Sequence, residues 1–126
     1  MKALRISVLI FALFLGANVY LYCYLNRTTE TILEKAGSAQ MLLEEGDYGA
    51  LLDSLRQLKE ETDRYQKVWQ VMTNHGEIDK IQSSLILCIG FAETQDEKNT
   101  LANLYSLQFN LKNLTEREKI NLSNLF

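Results

Sequence analysis

The sequence contains no proline. Proline fixes its own φ and lacks a backbone N–H, so it breaks helix interiors and punctuates loops. Its absence over 126 residues favours a mostly helical chain with short turns. Histidine occurs once, as His75, and tryptophan once, as Trp69. A structural zinc site takes four ligands and a catalytic one takes three plus water, so a single histidine leaves little to build either from. There is no Gly-rich phosphate loop, no nucleophile elbow and no closely spaced cysteine pair. No cofactor is expected, and no catalytic residue is assigned. Cations are scarce as well. Of 13 Lys and Arg, only 11 follow Lys2 and Arg5, against 16 Asp and Glu in the same remainder. Phosphate binding needs clustered Lys and Arg, so nucleic acid is not expected as a partner.

Two cysteines are present, Cys23 and Cys88. A disulfide between them demands close Cα atoms, which would require the later chain to fold back onto the early apolar stretch. Both fit better as small buried apolar residues.

That apolar stretch is the clearest feature of the chain. Ile6 to Leu25 has no charged residue. At about 1.5 Å per helical residue it spans roughly 30 Å, the thickness of a hydrocarbon core. Tyr20, Tyr22 and Tyr24 crowd its end, where an aromatic belt meets headgroups. Lys2 and Arg5 precede it, and the positive-inside rule then places the N-terminus in the cytoplasm. Residues 1–25 are expected to be a transmembrane signal anchor, contacting the bilayer of the cell membrane through residues 6–25, and residues 26–126 an extracytoplasmic helical domain. A cleaved signal peptide would need a small-x-small exit, and Leu15 with Ala17 is a poor one. A lipoprotein would need a small residue before Cys23, where Tyr22 stands. A soluble core helix would be apolar on one stripe rather than all round.

Beyond the anchor the apolar spacing is helical throughout. Leu25, Thr29, Ile32, Ala36, Ala39 and Leu43 lie on one stripe, which predicts a helix to Glu45 with Gly37 as its weak point. Because the stripe begins inside the anchor, one helix can both span the bilayer and enter the domain. Gly46 and Asp47 read as a C-cap and an N-cap. From Tyr48 to Thr73, Leu51, Leu55, Leu58, Thr62, Tyr65, Trp69 and Met72 form a heptad seam. Glu60, Glu61 and Asp63, interleaved with Lys59 and Arg64, read as a solvated helix face. Asn74-His75-Gly76 predicts a turn that uses positive φ. A third helix, Glu77 to Thr94, carries Ile78, Ile81, Leu85, Cys88 and Ala92, with Leu87, Ile89 and Phe91 widening its buried surface. Asp96 is expected to cap a fourth, which buries Leu101, Leu104, Tyr105, Leu107 or Gln108, and Leu111. Thr115 to Glu118 fits a capping box that opens a short last element bearing Ile120, Leu122, Leu125 and Phe126. The fold class is therefore all-α: an N-terminal transmembrane helix followed by a small antiparallel bundle of about four helices. Repeat-like Gly46-Asp47-Tyr48 has no 34-residue recurrence, which argues against a solenoid.

The anchor, the Trp69-centred helix end, the stretch His75-Gly-Glu-Ile-Asp79 and the Asn-Leu-Phe126 ending resemble a family of small proteins from clostridia-like, spore-forming bacteria that is known as a domain of unknown function. The resemblance implies a bacterial cell-membrane protein with a helical outer domain and, through neighbouring genes for small membrane proteins, a membrane partner. It supplies no catalytic residues. It also makes the glycosylation sequons at Asn26, Asn113 and Asn121 irrelevant.

The expected function is a non-enzymatic interaction module that docks another membrane or envelope protein at the outer face of the cytoplasmic membrane. Its surface is expected around Trp69, His75, Glu77 and Asp79, at a turn on the membrane-distal end of the bundle. One alternative is a small sensor or hydrolytic protein using His75 with Glu77 or Asp79. Another is a homodimeric coiled coil through the Leu51–Met72 seam.

Overall fold

The computed structural model describes the backbone of residues 1–125 and the side chains of residues 1–116. Among these, four helices and no strand occur: α1 (Lys2–Glu45), α2 (Tyr48–Met72), α3 (His75–Glu93) and α4 (Glu97–Leu125). Short connections make consecutive helices antiparallel. α1 and α3 each pack against both α2 and α4, which closes an up-down-up-down ring. The all-α antiparallel bundle expected from the spacing is the fold.

α1 is one unbroken helix of 44 residues, roughly 66 Å at 1.5 Å per residue. Gly37 does not interrupt it. Its buried residues are Leu25, Thr28, Thr29, Ile32, Ala36, Ala39 and Leu43. The stretch up to Tyr20 carries no buried residue, with Leu9, Phe11, Leu13 and Phe14 all exposed. By length and composition α1 is able to cross a membrane, and the apolar window that qualifies it has no buried residue. No break separates that stretch from the domain; the helix passes through half-buried Leu21, Tyr22 and Tyr24 to Leu25, its first fully buried residue. The end of the bundle from which the stretch extends is called the foot, and the opposite end the head.

The seam on α2 faces inward. Leu51, Leu55, Leu58, Thr62 and Trp69 are buried, and Tyr65 and Met72 pack against the core. A homodimer through this seam would therefore require the bundle to open. α3 contributes Ile78, Ile81, Leu85, Cys88 and Ala92. On α4 the buried stripe is Thr100, Leu104, Leu107, Leu111 and Leu114, which selects Leu107 over Gln108. Tyr105 was expected inside but is half exposed, because it lies one residue off that stripe. Truncating a fully buried leucine such as Leu58 to alanine costs about 2–5 kcal/mol.

Both head turns are built alike. α1 ends with Gly46 at φ 78, and α3 ends with Gln95 at φ 57. Asp47 N–H bonds Leu42 O at 3.1 Å and Asp96 N–H bonds Phe91 O at 2.9 Å, the six-to-one bond of a Schellman motif. Each aspartate then caps the next helix: Asp47 accepts from Ala50 N–H at 3.1 Å, and Asp96 from Asn99 N–H at 3.2 Å. Bonds from Asn99 hold the Asp96 carboxyl below its usual range. Tyr48 Oη, donating to Gln95 O at 3.4 Å, ties the two turns together.

The foot turn differs from expectation. Asn74 adopts an extended conformation and caps α3 by accepting from Gly76 N–H at 2.8 Å, so no residue there needs positive φ. The expected start at Thr115 is also absent. α4 runs through it, because the Thr115 hydroxyl bonds back to Lys112 O at 3.0 Å within the helix. The side chains of Ile120, Leu122, Leu125 and Phe126 lie outside the described residues.

Polar pairs cross every seam of the ring. Lys35 pairs with Glu61 across α1–α2. Gln82 Nε2 donates to Asp63 at 2.9 Å and to Gln66 at 2.8 Å across α2–α3. Ser84 and Ser106 share a bond of 3.0 Å across α3–α4, and Gln108 Nε2 donates to Gln40 at 3.2 Å across α4–α1. A one-turn slip of any helix would leave such groups unpaired, so these rungs fix register.

Candidate functional site

Trp69 was expected on an exposed surface and is instead wholly buried. Its place on the seam outweighs its nearness to a turn. Its Nε1–H donates to Thr28 Oγ1 at 2.9 Å, and that hydroxyl donates in turn to Tyr24 O at 2.8 Å. Tyr65 lies 6.2 Å from the indole, and Tyr24 meets Tyr65 edge-on at 6.3 Å. This aromatic group clasps α2 to α1 at the foot.

The clasp also places the turn that follows. Thr28 is only three residues past Leu25, and α2 runs three residues beyond Trp69 to Met72. In an antiparallel pair, advance along one helix is retreat along the other, so Met72 stands level with Leu25. The His75 turn is therefore at the foot, beside the apolar stretch, and not at the far end of the bundle as expected. The far end carries Gly46-Asp47 and Gln95-Asp96.

The other expected residues separate around α3. His75 is its first residue and is exposed, and Asp79 follows on the same face one turn later, also exposed. Glu77 turns inward, is 8% exposed, and has its carboxylate 3.7 Å from Lys80 Nζ. His75 and Glu77 thus lie on different sides of the helix. Among the described residues, no three His, Cys, Asp or Glu side chains are grouped to hold a metal ion.

Both cysteines are free thiols, and Cys23, expected to be buried, is exposed because it lies on α1 ahead of the first buried residue, Leu25. Cys88 is buried, its Sγ lies 3.8 Å from Thr100 O, and burial pushes its pKa up to about 12. It is a neutral packing group at physiological pH, in line with the apolar role expected for it.

A surface that the sequence pattern misassigned lies on α3 and α4. Leu87, Ile89 and Phe91 were expected to enlarge the buried face of α3. Ile89 does pack against the core and Phe91 is half-buried, but Leu87 is 47% exposed and Ile86 56%, and with Gly90 and Phe91 they line one shallow depression. Leu87 also borders a groove between α3 and α4, whose far wall includes Phe109, 63% exposed. Asp79, Lys80, Ser83, Ser84, Asn103, Ser106 and Asn110 supply its polar and charged lining, so the expected surface residue Asp79 borders this groove. The signal for this surface was present: the Ile78–Ala92 stripe already fills the inner face, and a bundle helix has no second inner face to offer. Apart from Ile89, which flanks the stripe and packs against the core, apolar residues off it are left partly or largely exposed.

A family model described as a domain of unknown function, DUF4363, matches residues 19–125, and the chain belongs to that family. No curated protein and no solved structure matches the chain.

Proposed function

We propose that this DUF4363 member is a membrane-anchored, non-enzymatic interaction module that holds a helical bundle at the outer face of the cytoplasmic membrane and docks a partner protein there. The observation that carries it is the apolar surface of exposed Ile86, Leu87 and Phe109, with half-buried Phe91 beside them, outside a core that is already closed. Isolated exposed apolar residues are ordinary; a contiguous set rimmed by polar groups is the mark of an interaction site. The exposed apolar stretch of α1 supports the anchor, and Lys2 and Arg5 ahead of it support the orientation. Anchoring confines the search to two dimensions, and the unbroken α1 fixes the bundle's attitude, so the α3–α4 face points sideways toward neighbouring envelope proteins. The docking residues centre there, with Asp79 from the expected surface at the edge of the groove.

The test is site-specific photo-crosslinking in the native membrane. A photoreactive residue at Leu87 or Phe109 is expected to yield a discrete protein adduct. The same residue at exposed Asp53 on α2 is expected to yield none. Adducts equally frequent at all three positions, or at none, would sink the proposal.

A further inference from the structure

We propose that the foot of the bundle is itself a membrane-contacting surface, with the α2–α3 turn seated in the headgroup layer of the bilayer that α1 spans. This rests on the anchoring proposed above and adds a second, separate contact with lipid. The occupant is the bilayer interface, argued from continuity: the foot adjoins the apolar stretch with no linker between them.

The geometry comes from α1 and the Trp69 clasp. α1 has no break between its exposed apolar stretch and Leu25, so the bundle cannot swing away on a hinge. The clasp from Trp69 to Thr28 sets Met72 level with Leu25, and Thr73 and Asn74 follow beyond it. A bilayer adds roughly 5–7 Å of headgroup region on each side of its hydrocarbon core. With Tyr20, Tyr22 and Tyr24 at the boundary, the turn falls within that layer.

The side chains suit the place. Val71, at 75%, is the most exposed large apolar residue after Met1. Asn74, His75 and Gly76 are exposed beside it. Across the foot, Tyr22, Asn26, Thr115 and Glu116 line a polar notch at the same level. Around the foot, exposed Arg27, Lys67, Lys80 and Lys112 stand with exposed Glu30, Asp79 and Glu116, an excess of one positive charge. A nearly balanced collar with an apolar tip suits an interfacial lipid surface rather than a strongly anionic one.

The test uses the full-length chain, with Cys23→Ser, reconstituted into phosphatidylcholine vesicles. A single NBD label is placed at Phe14→Cys, Val71→Cys or Met41→Cys, all exposed positions. Nitroxides are carried in the lipid at deep or shallow depth. The label at 14 should lose emission to the deep nitroxide, the label at 71 to the shallow one, and the label at 41 to neither. If 14 is not quenched, the anchoring itself fails. If 14 is quenched while 71 behaves like 41, anchoring stands and the seated foot is refuted. Unchanged helicity by circular dichroism shows that each labelled protein is folded.

Discussion

Replacing Thr28 with valine tests whether the Trp69 clasp holds α2 against α1. Valine matches threonine in shape, so packing changes little, but the indole N–H loses its acceptor 2.9 Å away. Both residues are buried, at 5% and 0% exposure, so water cannot substitute. A buried donor left unpaired costs about 1–3 kcal/mol, and Thr28→Val should destabilise by that amount. Trp69→Phe removes the donor itself and should cost about 1–2 kcal/mol, through lost packing and the lost bond. The double variant creates no orphan. Its cost should fall short of the sum of the two by about 1 kcal/mol or more. Urea unfolding of the full-length protein in detergent micelles, followed by far-UV circular dichroism, supplies all four stabilities. A Thr28→Val cost under about 0.5 kcal/mol, or additivity within about 0.3–0.5 kcal/mol, would show that the bond does not couple the helices.

Other expectations follow from particular residues. Gln95 holds a left-handed φ of 57 that glycine adopts freely, so Gln95→Gly should stabilise by about 0.5–1 kcal/mol, whereas Gly46→Ala at φ 78 should destabilise by about 1 kcal/mol in the same unfolding assay. In a Cys23→Ser background, Cys88 should resist iodoacetamide until the bundle unfolds. Because its folded pKa is raised to about 12 from 9.0, ionisation favours the unfolded chain between those values, so stability should fall as pH rises through that window. Asp96 has the opposite sign: its folded pKa is depressed below 3.8, so its contribution is present above that pH and is lost as pH falls through the folded value. Asp96→Asn should flatten that part of an acid titration of stability. His75→Ala should leave crosslinking from position 87 unchanged, whereas a sensor or hydrolase built on His75 would lose function.

The helices were legible because one apolar stripe per helix is a strong signal. Leu25 to Leu43, Leu51 to Met72 and Ile78 to Ala92 all face the core as their spacing required. The caps at Asp47 and Asp96 were legible because the side-chain chemistry is local. What periodicity could not supply was the level of each turn along the bundle axis. The Trp69–Thr28 bond links residues 41 apart, and without it the His75 turn had no fixed height. For the same reason Trp69 and Glu77 were misplaced as surface residues. Leu87 was misassigned because hydrophobicity was read as burial, when α3 had already filled its inner face. Thr115 misled because a capping box and a mid-helix threonine bonded to its own preceding turn share the same sequence.

Everything proposed for this chain depends on where α1 puts the bundle, and labelling of intact cells measures that directly. A membrane-impermeant maleimide should label Asp53→Cys in a Cys23→Ser background without lysis, while Lys2→Cys should label only after permeabilisation. Both should remain in the membrane pellet at full length. Protection of Asp53→Cys in intact cells, or a shortened protein in the soluble fraction, would contradict an anchored bundle outside the membrane.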